Sequence, residues 1–265
     1  MSSNHTAQIG ILHGINTLGY FSYKNPTTLI IFVHGFGGST QTTWSTFPSL
    51  SLQDSKCKKS DILIYGYDTF RGQAGDHAAE LYHFINLAVA PLKNNILPAD
   101  QHLPERKYKR IIFVAHSLGA VLARQAQLLA YIDKRKWVNK SMLVLFAPAH
   151  HGTDITSLVK EALSGVNKLI SLFGLLNFPI LNDLDAKDGG ILNSIKTQTE
   201  SLQNKGKANF TKAKLVVHAK GDKVVKSYQY LLDKPAEIIK NKNHISVCKP
   251  DVQYLKPFEL LKSIL

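Results

Sequence analysis

The chain reads as an α/β protein built on a mostly parallel, doubly wound sheet with helices on both faces. Three observations predict this. Short apolar runs rich in β-branched and aromatic residues, Leu29-Ile30-Ile31-Phe32-Val33, Ile111-Ile112-Phe113-Val114 and Leu215-Val216-Val217, have the unbroken hydrophobicity of strands buried on both sides. Between them stand segments with apolar residues at helical spacing. No internal repeat occurs, and no linker is long enough to divide the 265 residues, so a single domain is expected over 1–265.

Taken in order, residues 9–23 alternate weakly around Gly14 and Gly19 and predict an opening hairpin. The Leu29 run is a buried strand ending at His34-Gly35, and a loop with Trp44, Phe47 and Pro48 is expected over 40–60. Residues 61–67 form the next strand, and 76–90 a helix, with Pro91 and Pro98 beyond it. A strand from Ile111, a helix to about Asp133 and a strand over 141–146 follow. From 153 to 212 the pattern changes. Leu158, Ala162, Val166 and Leu169 keep helical spacing, residues 173–181 are apolar but interrupted, and Asp188-Gly189-Gly190 breaks the run before a second helical segment. This stretch is expected to be a helical cap or lid inserted on top of the sheet. Strands at 215–218 and, more weakly, 237–239 resume the sheet, and a helix over 251–264 closes the chain.

Composition narrows the class. A hydrophobic fraction of 44% fits a globular core. Cys57 and Cys248 lack metal-site spacing and are expected as free thiols in a reducing compartment, with one disulfide as the alternative. The first eight residues lack the basic head and apolar run of a signal peptide, and no stretch has the length of a transmembrane helix. A cytoplasmic protein is therefore expected, signal-free secretion remaining open. The net charge of +13 is uneven: residues 201–265 hold 13 lysines against five carboxylates. Such a face fits peripheral contact with an anionic membrane. The lysines are scattered, without arginine or interleaved aromatics, so no nucleic-acid partner is expected. A solvated basic surface is the simplest reading of that charge.

The chemistry centres on Ser117. The Ile111 strand gives way at once to a helix, and the serine at the turn is flanked two residues away by Ala115 and Gly119. A sharp strand-to-helix turn brings those flanks together, so only small side chains fit, and it lifts the serine to the carboxyl edge of the sheet. The plain alternative is a helix N-cap. A serine nucleophile needs a base held by an acid. Four histidines follow it, His150, His151, His218 and His244. Asp222 lies just past the Leu215 strand, and His244 lies 22 residues later, after the next strand. Nucleophile, acid and histidine thus follow in the order used by doubly wound hydrolases. The glycine-rich His34-Gly35-Phe36-Gly37-Gly38 ends the Leu29 strand, and its Phe36 amide, with that of Leu118 at the helix start, suits an oxyanion hole. No Gly-Lys-Ser/Thr follows, which disfavours a phosphate-binding loop.

Together, Phe32-Val33-His34-Gly35-Phe36-Gly37-Gly38, Ile64-Tyr65-Gly66-Tyr67-Asp68, Val114-Ala115-His116-Ser117-Leu118-Gly119 and Asn243-His244-Ile245-Ser246-Val247-Cys248-Lys249-Pro250 resemble the α/β-hydrolase superfamily. Within it the chain is most similar to serine esterases and lipases of the SERAC and GPI-inositol-deacylase types. The resemblance covers about residues 29–250 and implies an α/β-hydrolase fold with an inserted helical cap. Two departures stand out. Ala115 replaces the usual first glycine of Gly-x-Ser-x-Gly, and Ala147-Pro148-Ala149-His150-His151-Gly152 stands where relatives often have Thr-Pro-His-x-Gly.

The implied reaction is cleavage of a carboxylic ester, of a lipid or another acyl group, through an acyl-enzyme on Ser117, with His244 as base and Asp222 as its orienting acid. Substrate contacts are expected at His34, Gly35, His116, His151, Leu172 and Leu176. The alternatives are a phospholipase-like effector at a membrane surface and a non-catalytic lipid- or partner-binding protein. No metal and no organic cofactor is expected, and His77 and His83, six residues apart, do not share a helical face.

Overall fold

The computed structural model describes residues 4–90, 96–98, 103–154, 157–159, 179–184, 190–207 and 209–265. Among these, eight strands form one sheet: β1 (Ile9–Gly10), β2 (Leu18–Tyr20), β3 (Thr28–Val33), β4 (Ser60–Tyr65), β5 (Arg110–His116), β6 (Ser141–Phe146), β7 (Leu215–Ala219) and β8 (Glu237–Ile239). Their spatial order is β1-β2-β4-β3-β5-β6-β7-β8. The opening hairpin pairs antiparallel and β2 joins β4 antiparallel, whereas every pairing from β4 to β8 is parallel. The fold is the α/β-hydrolase type expected, and its central strands β3 and β4, with β5 from Ile111 and β6 from Leu143 onward, are buried on both faces.

Side-chain alternation assigns the covering helices to faces. Phe32 and Phe146 point to one side and meet the ring of Phe47 on α1 (Phe47–Gln53) at 5.2 and 6.2 Å. Phe47 in turn meets Phe258 on the last helix, α5 (Lys256–Lys262). Phe113 and Tyr65 point the other way, towards Trp137 and towards Phe84 on α2 (Ala74–Ala88). There α2 packs against α3 (Leu118–Ile132), and α3 against α4 (Ile191–Asn204), which buries Leu192, Ile195 and Thr199.

Two elements differ from expectation. The stretch 40–60, expected as a loop, contains α1 and a 3-10 turn at Ser55–Cys57. Helix α1 is under two turns long and serine-rich, so its stability comes from the buried Phe47 cluster and not from propensity, with Pro48 in the first turn where no amide donor is needed. The closing helix starts at Lys256, not at 251. Asp251 and Tyr254 close a bridge, the Asp251 carboxylate accepts the Gln253 amide at 2.8 Å, and Pro257 marks the first helical turn.

Cys57 and Cys248 are free and buried, and burial pushes both thiols up to about 12. Among the described residues no helix is long and apolar enough to cross a membrane.

Candidate active site

Ser117 occupies the single residue between β5 and α3, at φ +53° and ψ −121°. A non-glycine residue there costs on the order of 1–3 kcal/mol, so its surroundings must impose the geometry. The Ser117 amide donates to the Phe146 carbonyl of β6 at 3.0 Å, and its own carbonyl accepts from Ala120 and Ala149. The flanks are small for a visible reason. A Cβ on Gly119 would overlap the carbonyl oxygens of Val33 and His34, and one on Gly35 would lie 2.7 Å from the Ser117 Cβ. The end of β3 and the start of α3 therefore touch backbone to backbone. Ala115 is fully buried within β5, so the alanine in place of the usual glycine is accommodated.

Asp222 follows β7 in a turn closed by its amide on the Ala219 carbonyl. One carboxylate oxygen accepts the amides of Val224 and Val225 at 2.8 and 3.1 Å. The other stands 3.0 Å from Nδ1 of His244, whose Nε2 stands 2.9 Å from the Ser117 hydroxyl. Burial pushes the Asp222 carboxyl up, but the hydrogen bond and charge of His244 and the two amides outweigh it, and the group ends below its usual range. An ionised Asp222 fixes the proton on His244 Nδ1 and leaves Nε2 to accept from the serine. Ser117 and His244 are almost wholly buried. The His244 loop is held from beneath: His116 Nε2 donates to the His244 carbonyl at 2.8 Å, and Asn243 and Ser246 bond reciprocally.

The glycine-rich loop after β3 is also tied. Gly37 donates to the Thr69 hydroxyl and Gly38 to the Gly35 carbonyl, both at 3.1 Å. Phe36 sits between these, and Leu118 opens α3, where an amide has no intrahelical acceptor.

Of the expected substrate contacts, His34 and His116 are buried and engaged. His34 stacks on Tyr67 at 4.5 Å and bonds the Gly35 carbonyl through Nδ1. Burial holds its pKa down at about 4, and that of His116 at about 3, so both rings are neutral. Gly35 backs the Ser117 side chain. His151 lines a cleft beside Asp222. Leu172 and Leu176 lie outside the described residues.

One constellation escapes sequence reasoning. Arg124 of α3, fully buried, pairs with Asp233 at 2.5 Å, donates to the Thr211 carbonyl and bonds His150 through Nε at 3.0 Å. It locks α3 to the segments before β7 and β8. Its trace in the sequence is an arginine beside Gln125 and Gln127 in a mostly apolar helical run.

Fold and family mark a hydrolase. The alpha/beta hydrolase family model matches residues 30–231, and the chain belongs to that family. Comparison with the sequences of curated proteins finds no match. Among solved structures, the mature Bacillus licheniformis lipase BlEst2 is similar at a TM-score of 0.57 and 15% identity, over 92% of this chain and 97% of that one. A membrane phospholipase A, described as a bacterial virulence factor, aligns at 0.52 and 15% identity over 98% and 87% of the two chains. YbtT, a type II thioesterase of the yersiniabactin pathway, aligns at 0.53 and 12% identity over 91% and 92%. At these identities the likeness is one of fold.

Proposed function

We propose that the chain is a serine hydrolase of carboxylic esters, with Ser117 as nucleophile, His244 as base and Asp222 as the acid that orients it. The observation that carries this reading is the continuous relay from the Ser117 hydroxyl through His244 to Asp222, with both links at hydrogen-bond distance. His244 takes the serine proton as the oxygen attacks the ester carbonyl. The amides of Phe36 and Leu118 receive the developing oxyanion, where one such donor is worth on the order of 100- to 1000-fold in rate. His244 then protonates the leaving alcohol and activates the water that frees the acyl group.

Lipase, phospholipase and thioesterase names among the similar structures support acyl chemistry. The kinship with SERAC-type and GPI-inositol-deacylase-type esterases belongs to this proposal, as do lipid substrates and a cap within 153–212. An ester panel of increasing acyl length, run on the native chain and on Ser117→Ala, tests it. The variant is expected to lose turnover on every ester while its unfolding free energy changes by no more than about 1 kcal/mol. Turnover retained by Ser117→Ala overturns the reading.

A further inference from the structure

The two loops that carry the acid and the base are strongly basic. Lys220, Lys223 and Lys226 flank Asp222 along the chain, and Lys240, Lys242 and Lys249 flank His244. Within residues 220–226 the one carboxylate is Asp222, already committed to His244 and two amides, and residues 240–249 hold none. Among the described residues, none of the six lysines has a carboxylate within ion-pair distance. These loops follow β7 and β8, at the same sheet edge as Ser117. Uncompensated charge at one edge raises the local concentration of an anionic partner and speeds its arrival.

A cleft of about 580 Å³ opens on the acid side of the relay, lined by Asp222 itself together with Lys223, Lys226, Thr153, His151 and Tyr228. Lys223 and Lys226 are exposed, and Tyr228 is 70% exposed. The Thr153 hydroxyl is buried and has no hydrogen-bond partner among the described residues. Asp154 also lines the cleft, but its carboxylate accepts the amide and hydroxyl of Ser157 at 3.2 and 2.8 Å. Two unpaired ammonium groups and a spare hydroxyl beside an ester-cleaving relay make a receptor for an anion attached to the ester.

We propose that the enzyme selects esters bearing an anionic group, phosphate or carboxylate, and holds that group on Lys223 and Lys226 in this cleft. The proposal rests on the hydrolase reading above. The anion's source is either a soluble ester or a lipid headgroup, and the test separates them. Two soluble short-chain esters with the same acyl group, one with a phosphorylated alcohol and one with a neutral alcohol of similar size, are compared on the native chain, on K223Q/K226Q and on Ser117→Ala. The native chain is expected to favour the anionic ester in kcat/KM, less so at high salt. In K223Q/K226Q the anionic-to-neutral ratio is expected to fall about tenfold, the worth of a charged hydrogen bond. Because both lysines are exposed, an unchanged unfolding midpoint is expected to accompany the loss. A ratio unchanged by the double substitution overturns the anion subsite. If Ser117→Ala still cleaves both esters, the hydrolase reading itself falls. Anionic and zwitterionic phospholipid vesicles form the last arm: a preference for the anionic vesicle that K223Q/K226Q abolishes assigns the anion to a lipid headgroup, and one that the double substitution leaves unchanged places the charge effect at the bilayer and overturns the subsite.

Discussion

Ser117 is held in its positive-φ turn by contacts that do no chemistry: the Phe146 carbonyl and the two bare glycines. Asp222 contributes differently, through the proton it fixes on His244. Asp222→Asn keeps the shape but presents an amide where a carboxylate selected the tautomer, so kcat is expected to fall about 10,000-fold. Steady-state kinetics on a good ester checks this, and a loss below tenfold would remove Asp222 from the relay. Ser117, Asp222 and His244 were legible in the sequence because small flanks, strand ends and chain order constrain them jointly. Arg124 and Asp233 were not. The two are 109 residues apart, and no local rule pairs them.

At the scale of elements, the decisive contact is α3 docked on the end of β3 with no side chain between them. Gly119→Ala drives a methyl into two backbone carbonyls and is expected to lower the unfolding free energy by about 3 kcal/mol. Gly10→Ala, at a site where an added Cβ meets nothing within 4 Å, is the control and is expected to stay within about 0.5 kcal/mol. Denaturant unfolding of both variants decides, and equal midpoints would refute the close-approach argument. Strands β3 to β7 were readable because burial on both faces leaves an unbroken apolar run. Helix α1 was hidden because its order comes from Phe47 meeting Phe32, Phe146 and Phe258, contacts that a local window does not contain.

For the molecule as a whole, buried histidines set the response to acid. Burial lowers the pKa of His116 to about 3 and those of His34 and His218 to about 4, from an ordinary 6.5. Between these values the unfolded chain binds protons that the folded chain refuses, so stability rises with pH and falls as the solution is acidified from about pH 6.5 towards 4. Each such group contributes up to about 1.4 kcal/mol per pH unit. Asp222 acts in the same direction lower down, its stabilisation present above the ordinary 3.8 and lost as pH drops through its depressed folded value. Urea midpoints measured across this window are expected to decline steadily on acidification. A flat profile from pH 6.5 to 4 would contradict the neutral state assigned to these rings.

The bond from His116 to the His244 carbonyl has a consequence for how the turn tolerates change. In a small-x-Ser-x-small pattern the residue before the serine is nominally interchangeable. Here it supplies the donor that sets the height of a loop 128 residues further along the chain. A substitution at that letter is expected to shift His244 relative to Ser117 while leaving both of those residues in place, so position 116 is less interchangeable than the pattern suggests.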